Sequence, residues 1–164
     1  MALMAATLDQ VTLRTYRPED LAVVLEIDRQ FQREVGFDSP DRPHRVDFDD
    51  IAGVYLNAGG QFWVAEYAGG DIVGYGAVLR IDAGTARLRR FRVRPDWRRR
   101  GLATLLLQEA ERFCLERGYR RLTLGTTDQQ QPAQAFYRKH GYVATGEHWL
   151  TRDLREIEFE KQIG

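Results

Sequence analysis

Hydrophobic and polar positions follow two periods along this chain, and the periods predict the order of its elements. Residues 11–15 alternate apolar and polar side chains, so a first strand is expected there. After Pro18, the apolar positions of residues 21–28 recur at helical spacing, which predicts a helix begun by that proline. A polar, proline-containing stretch over residues 36–47 follows, and residues 51–55 return to helical spacing. The first third of the chain is therefore predicted to contain one strand and two helices.

The central part of the chain is predicted to contain three strands and one amphipathic helix. Residues 62–67 and 72–81 are rich in β-forming side chains, and the Gly-Gly-Asp of residues 69–71 between them is typical of a hairpin. A third strand is expected over residues 85–94. The apolar stripe of residues 101–118 then has helical spacing and is bounded by glycine at both ends.

The third of these strands carries a break in its alternation. Ala86 and Leu88 share one face, whereas Phe91 and Val93 fall on the other parity. One extra residue near positions 89–90 would return all four apolar side chains to the same face. A β-bulge is therefore predicted in the middle of this strand.

The C-terminal part of the chain alternates strand and helix signals once more. Residues 122–124 mark a strand, and Pro132 stands where a helix would start. Residues 133–140 then recur at helical spacing. Residues 142–149 and 154–161 are expected to form two closing strands. The whole order predicts a mixed α/β (α+β) domain built on one sheet.

Composition restricts the class of protein. A chain of 164 residues can bury one good core, so a single domain over residues 11–164 is expected after a flexible tail of residues 1–10. Lys plus Arg and Asp plus Glu both total 24, and this balance argues against a nucleic-acid or membrane partner. Cys114 is the only cysteine, which excludes a disulfide within the chain. Without a long apolar stretch or a signal peptide, the cytoplasm is the expected location.

Residues 98–104 carry the strongest candidate binding signal. Their Arg-Arg-Arg-Gly-Leu-Ala-Thr sequence joins a predicted strand to a predicted helix. The N–H groups of a helix start have no helical acceptor, lie at the positive end of the dipole and are flanked here by arginines. Gly101 would let a ligand approach the backbone closely. A pyrophosphate fits such a site, and a solvated arginine-rich loop ahead of a helix is the alternative interpretation.

Two motifs in the second half of the chain resemble those of the GNAT superfamily of acyl-CoA-dependent N-acetyltransferases. The first resembles the family's acyl-CoA signature and consists of residues 93–95, Arg98, Gly101 and Ala103. The second resembles its second coenzyme-binding helix and consists of Gln130, Ala133, Phe136, Tyr137, Lys139, Gly141 and Tyr142. Both motifs stand at the separation and in the element order that the family shows.

The resemblance implies a fold and a reaction. The fold would be a GNAT-like mixed, mostly antiparallel central sheet flanked by helices. The reaction would be direct transfer of an acetyl group from acetyl-CoA to a primary amine, with small molecules favoured over protein termini. Val93 would supply backbone bonds to the acetyl or pantetheine portion, and residues 98–104 would wrap the pyrophosphate. The implied coenzyme-binding residues are Phe91, Val93, Arg98, Arg99, Arg100, Gly101, Leu102, Ala103, Thr104, Gln130, Ala133, Phe136 and Tyr137.

Tyr137 is the catalytic residue that the resemblance implies. Its phenol would protonate the departing CoA thiolate, whereas helical spacing alone fits a tyrosine that merely packs. The family usually has Asn at the position of Gln130, which leaves the amide contact open. Many relatives carry a general-base Glu on the strand before the signature, but residues 88–92 offer arginines, which cannot act as bases. The remaining candidate bases are Glu66, Asp128, Glu147 and a water chain.

Metal and covalent catalysis are not expected. His44, His140 and His148 are too scattered for a recognisable metal site, and Cys114 lies on a helical stripe that fills a core. Two rival interpretations stay open: a nucleic-acid-binding module that uses the eight arginines of residues 87–100, and a noncatalytic acyl-CoA sensor. An arginine-rich acceptor cleft would favour a carboxylate-bearing amine. Assembly as a homodimer is also left open.

Overall fold

A computed structural model describes residues 7–36 and 46–164 as a mixed α/β domain. Its helices are α1 (Leu21–Glu34), α2 (Ile51–Val54), α3 (Leu102–Glu116) and α4 (Gln131–Lys139). Its strands are β1 (Val11–Thr15), β2 (Gln61–Tyr67), β3 (Asp71–Arg80), β4 (Thr85–Val93), β5 (Arg121–Thr127), β6 (Val143–Thr151) and β7 (Leu154–Gln162). The predicted order of strands and helices is confirmed.

Some of the sequence-based expectations concern residues beyond the described ranges. Residues 1–6 of the expected tail, His44 and most of the polar stretch over residues 36–47 lie outside them. The described end of the tail is packed: Leu8–Gln10 form a 3-10 turn, and Leu8 contacts the core beneath α3. Packing therefore begins before residue 11, because Leu8 buries apolar surface there. The domain boundary stays a prediction.

The described strands form a seven-stranded sheet in the order β1-β2-β3-β4-β5-β7-β6. Neighbouring strands are antiparallel except for β4 and β5, which are parallel. The β2–β3 turn holds Gly69 and Gly70 at φ of 92° and 93°, where glycine carries no Cβ penalty. The predicted hairpin and the mostly antiparallel sheet are both confirmed.

The sheet opens between its two parallel strands. Residues 85–87 of β4 pair with residues 121–123 of β5, and the ladder stops there. β4 nevertheless continues to Val93 and β5 to Thr127. Since these last residues do not pair with each other, the backbone groups on the inner edges of both strands face an opening in the sheet.

The predicted bulge lies in β4 beside this opening. Arg90 and Phe91 together lie opposite Gly76 of β3, and Arg90 adopts a φ of 60°. Because the extra residue shifts the alternation by one, Phe91 packs on the same core as Leu88. Gly76 leaves the room for this, since a Cβ there would lie 3.1 Å from the Phe91 ring.

Each face of the sheet is covered by its own apolar core. On one face, α3 and α4 contribute Leu106, Phe113 and Tyr137 to a core with the sheet. On the other face, α1 and α2 contribute Val24 and Ile51. The long helices are thus amphipathic elements of a globular core. In the described parts of the chain, no helix is long and apolar enough to cross a bilayer.

Candidate active site

A cavity of about 750 Å³ occupies the opening between β4 and β5. Residues 87–92 line it from β4 and residues 124–127 from β5. The remaining walls are formed by Phe31, Gln32, Leu79, Gln130, Ala133, Tyr137, Leu150, Thr151 and Glu156. A cavity of this size holds a ligand of drug-like dimensions.

The backbone at the start of α3 leaves several amides without a helical acceptor. Arg99 has a φ of 62° and Gly101 a φ of 86°, so two left-handed residues precede the helix. The helical bonding begins with the Leu105 N–H donating to the Gly101 carbonyl. The amides ahead of Leu105 therefore have no helical acceptor, and the helix dipole adds positive potential. We refer to the backbone of residues 99–104 as the anion cradle.

The arginine side chains around the anion cradle are partly engaged elsewhere. Arg98 forms an ion pair with Glu34 of α1 at 2.6 Å. The Arg100 guanidinium lies 5.0 Å from the centre of the Trp97 ring. Arg98 and Arg100 thus have partners within the protein. The anion site that the sequence predicts from backbone and side chains together stays a prediction.

The anion cradle and the cavity lie at the same end of β4. Val93 pairs with Gly74 of β3, and Leu102 packs over that glycine. A Cβ at Gly74 would lie 3.2 Å from Leu102 Cδ2, so a side chain there would press against the first turn of α3. Arg92, the residue before Val93, lines the cavity. One ligand of sufficient length can therefore reach both sites.

Tyr137 stands on the α4 wall of the cavity, next to Ala133. Its side chain is buried, and its ring packs edge-on against Tyr142 at 5.7 Å. Burial raises the pKa of Tyr137 to about 12, and the positive charge of Arg92 opposes part of that rise. The phenol is therefore protonated at neutral pH, and a ligand in the cavity can meet it in that form.

Two further predicted coenzyme residues support this wall. Gln130 lines the cavity, and its Oε1 accepts hydrogen bonds from the Thr127 N–H and hydroxyl, each at 3.1 Å. The Gln130 side-chain NH₂ is the part of the amide that remains to serve a ligand. Phe136 does not line the cavity and instead packs against the Tyr137 ring at 5.2 Å. Gln130 thus lies on the cavity wall and Phe136 behind Tyr137, and the coenzyme contacts expected of both residues stay predictions.

β4 presents two arginines to the cavity that are neutralised by acidic side chains. Arg87 makes hydrogen bonds of 2.7 and 2.9 Å to the Glu158 carboxylate. Arg90 makes hydrogen bonds of 2.9 and 2.6 Å to Asp47. Such two-point pairs fix both partners and leave little net charge. Arg87 and Arg90 are therefore structural cations of the cavity wall.

Arg89 and Arg92 are different, because neither is bonded to a carboxylate within the described residues. Arg92 stacks on the Phe31 ring at 3.6 Å and donates through Nη1 to the Phe91 carbonyl, while its Nε has no hydrogen-bond partner among the described residues. Burial lowers the pKa of the Arg92 guanidinium, with Asp28 acting only at longer range. Both side chains line the cavity. In this part of the structure, the cavity therefore has a positive wall that lacks a bonded counter-ion.

The arginine-rich segment also bears on the nucleic-acid interpretation. Besides Arg87 and Arg90, Arg94 pairs with acidic side chains of the protein, as does Arg98. At least four of the eight arginines in residues 87–100 thus form ion pairs with carboxylates of the described residues. This weakens the case for a phosphate-backbone surface, and the expectation of no nucleic-acid partner stays a prediction.

The three carboxylates proposed from sequence as bases do not line the cavity. Glu66 pairs with Arg14, and both Asp128 and Glu147 pair with Arg155. Among residues 7–36 and 46–164, the carboxylate that does line the cavity is Glu156 of β7. Alternation along β7 marks it only as a polar strand position, and its partners come from strands far away in sequence.

One group of possible metal ligands occurs among the described residues. His148, Glu156 and Glu158 bring ligand atoms within 4.8 Å of one another. Arg87 already lies between the two carboxylates, 2.7 Å from Glu158 and 3.4 Å from Glu156. The arrangement is thus an ion-pair network with its own cation, and the expectation of no metal stays a prediction.

Cys114 lies within the core on the α3 face of the sheet, as its helical position predicts. Burial raises the pKa of its thiol to about 12. A thiol in this state is a poor nucleophile, because the thiolate is the reactive form. The structure thus gives Cys114 a packing role.

The described site thus combines a split sheet, a helix start with left-handed residues ahead of it and a buried phenol on a cavity wall. A family model described as the acetyltransferase (GNAT) family matches residues 22–142, and the chain belongs to that family. The resemblance of the two motifs is thereby confirmed.

Comparison with known proteins agrees with this assignment. N-acetyltransferase 8F1 of Rattus norvegicus is 38% identical over 118 residues, which cover 69% of this chain and about half, 53%, of the rat protein. A solved acetyltransferase from Streptococcus agalactiae has a TM-score of 0.83 at 23% identity, covering 94% of this chain and 99% of its own. A GNAT family acetyltransferase from Elizabethkingia anophelis with acetyl-CoA bound has a TM-score of 0.65 at 18% identity, over 94% and 99% of the two chains. The two solved structures share the fold.

Proposed function

We propose that this chain is an acetyl-CoA-dependent N-acetyltransferase that transfers the acetyl group directly to the primary amine of a small, carboxylate-bearing molecule. The observation that carries the proposal is the opening between β4 and β5, which has the anion cradle at one end and Tyr137 on the wall of one cavity.

The coenzyme fits this opening by its chemistry. Acetyl-CoA supplies a pyrophosphate, a long polar pantetheine arm and an acetyl thioester. The anion cradle offers backbone N–H groups and a helix dipole to the pyrophosphate. The unpaired inner edge of β4, near Val93, offers backbone groups to the amides of the arm. The thioester then belongs in the cavity beside Tyr137.

Tyr137 is the acid in this proposal. When the amine nitrogen bonds to the acetyl carbon, the C–S bond breaks and the sulfur takes the phenolic proton. A phenol with a pKa of about 12 keeps its proton until that moment. Burial also raises the basicity of a departing thiolate, which favours the transfer. Transfer is direct because Cys114 is buried in the core and offers no thiolate.

The acceptor is inferred from the charge of the cavity. Among the described residues, Arg89 and Arg92 line it without a bonded carboxylate, and Arg92 has an unpartnered Nε. A buried charge without a partner is costly, and a bound carboxylate would offset that cost. Phosphate would serve less well, because the cavity also contains the carboxylate of Glu156. An amine that carries one carboxylate offers that carboxylate to the two arginines and its amino group to Glu156.

Paired acceptors test this proposal. Amines are offered together with their methyl esters, which differ only in the carboxylate, and CoA thiol release from acetyl-CoA is followed. We expect turnover with the free acids and a KM at least about tenfold higher for the esters, since a charged hydrogen bond is lost. Equal kinetics for both members of each pair would contradict the acceptor class. Coenzyme binding without thiol release across the panel would instead favour a noncatalytic sensor.

A further inference from the structure

Glu156 lines the cavity, and a glycine on the neighbouring strand leaves room for its side chain. It lies on β7 opposite Thr127 of β5, and its side chain crosses over Gly125. A Cβ at Gly125 would lie only 2.5 Å from the Glu156 carboxyl carbon and 2.8 Å from Arg87 Nη2. Glycine at position 125 therefore leaves the space in which this carboxylate reaches the opening.

The charges around Glu156 come from three strands. From β4, Arg87 lies 3.4 Å away, and from β6 the His148 Nε2 lies 3.6 Å away. On β7 itself, Glu158 shares Arg87 and holds it at the shorter distance of 2.7 Å. Arg89 and Arg92 complete the charged lining of the cavity. Arg87 is thus bonded more closely to Glu158, and Glu156 is the less tightly paired of the two carboxylates.

We propose that Glu156 is the general base that accepts the proton of the attacking amine in the acetyl transfer proposed above. The position fits, because Glu156 and Tyr137 line the same cavity from β7 and α4. The carboxylates that pair with Arg14 or Arg155 do not line it. This inference rests on the proposed function.

The protonation behaviour of Glu156 agrees with the role. Burial, with Glu158 next to it, raises the pKa of Glu156, while Arg87 and His148 act in the opposite direction. The pKa of Glu158 is lowered by its bonds to Arg87. A base is most effective when its pKa approaches the working pH, so the raised member of the pair is the better proton acceptor.

Protons and electrons balance over one turnover. The nitrogen lone pair of the neutral amine forms the N–C bond, and one N–H proton moves to the Glu156 carboxylate. The C–S bond breaks with its electron pair on sulfur, which takes the proton of Tyr137. Glu156 then releases a proton to solvent, and the Tyr137 phenolate takes one up. The products are the N-acetyl amine and CoA thiol.

Glu156→Gln tests the assignment, since it keeps the size of the side chain and removes the basic oxygen. We expect kcat to fall by roughly a hundredfold or more, the usual scale of general-base catalysis. In the acidic limb of the kcat/KM pH profile, the ionisation that lies above the ordinary Glu pKa of about 4.3 should disappear, which leaves the ionisation of the acceptor amine itself. Acetyl-CoA affinity by calorimetry should stay within about twofold, because the substitution leaves the residues proposed to bind the coenzyme in place.

Two further variants keep the test decisive. Glu160→Gln is the matched control. Glu160 lies on the same strand as Glu156 and on the same face of it, but it pairs with Arg121 and does not line the cavity. This control should keep wild-type kcat. Glu156→Asp retains a carboxylate one methylene shorter and should keep the acidic limb with a partial kcat. Thermal unfolding checks that all three variants fold. The ion pair of Arg87 with Glu158 is left in place in each of them.

The outcomes separate this inference from the proposed function. Wild-type kcat and an unchanged acidic limb in Glu156→Gln, on an acceptor for which chemistry limits turnover, would overturn the assignment of the base alone. A wild-type protein that releases no CoA thiol with any amine would overturn the proposed function instead.

Discussion

Gly101 offers the sharpest test of the anion cradle, because the same helix carries a matched control at its other end. Gly101 precedes α3 and Gly118 follows it, and both have a φ of 86°. Within the described part of the chain, a Cβ at Gly101 would meet Leu8 Cδ2 at 3.5 Å, an ordinary contact, and a Cβ at Gly118 would meet nothing within 4 Å. Alanine at either position therefore introduces backbone strain without a steric clash.

The size of the expected effects follows from this geometry. Holding an L-residue in the left-handed region costs about 1–2 kcal/mol. Alanine at Gly101 favours a negative φ, which turns the neighbouring amides away from the cradle, and binding must restore them. Since about 1.4 kcal/mol corresponds to tenfold, we expect a loss of acetyl-CoA affinity of about 5–30-fold. Alanine at Gly118 should cost similar stability and leave coenzyme affinity unchanged.

Calorimetric titration with acetyl-CoA and thermal unfolding of both variants make the comparison. We expect both Tm values to fall by a few degrees, as roughly 1 kcal/mol does in a domain of this size. Only Gly101→Ala should lose affinity. Equal affinities for Gly101→Ala, Gly118→Ala and the wild type would show that the pyrophosphate does not lie on this backbone.

The remaining predictions concern single side chains of the cavity and the core. Tyr137→Phe should lower kcat by roughly a hundredfold with little change in acetyl-CoA affinity, and wild-type turnover would contradict its acid role. Cys114→Ala should keep most activity, whereas an acetylated Cys114 that turns over with amine would contradict direct transfer. Arg92→Met should raise the KM of carboxylate acceptors at least about tenfold and leave their methyl esters unaffected, as a charged hydrogen bond is worth about 1.5–3 kcal/mol. Similar KM changes for acids and esters would remove Arg92 from the acceptor site.

Local patterns in the sequence were enough to predict most of the fold. The helical stripe before Gly118 predicted α3, and the parity break in β4 predicted a bulge that the register confirms at Arg90. Both signals are local, since helix periodicity and strand alternation are written in neighbouring residues. The two motifs that resemble those of the GNAT family are local for the same reason, because each spans one helix start.

The charged groups of the cavity could not be predicted from such local patterns. Glu156 gains its position from Gly125 on one strand and Arg87 on another, and both are distant in sequence. The arginines of β4 look alike in sequence, and only the structure separates Arg90, bonded to Asp47, from Arg92. Charge pairing across the sheet therefore decides which arginines of the cavity are bonded to a carboxylate, and no short stretch of sequence contains that information.

Acetyl transfer itself is measured by the amine-dependent release of CoA thiol from acetyl-CoA, followed together with the mass of the acceptor. We expect one equivalent of thiol for each equivalent of N-acetylated, carboxylate-bearing amine, with both signals reduced together in Tyr137→Phe. Tight acetyl-CoA binding by the wild type, with neither thiol release nor an acetylated product across the paired acceptors, would contradict the assignment of this chain as an N-acetyltransferase of small amines.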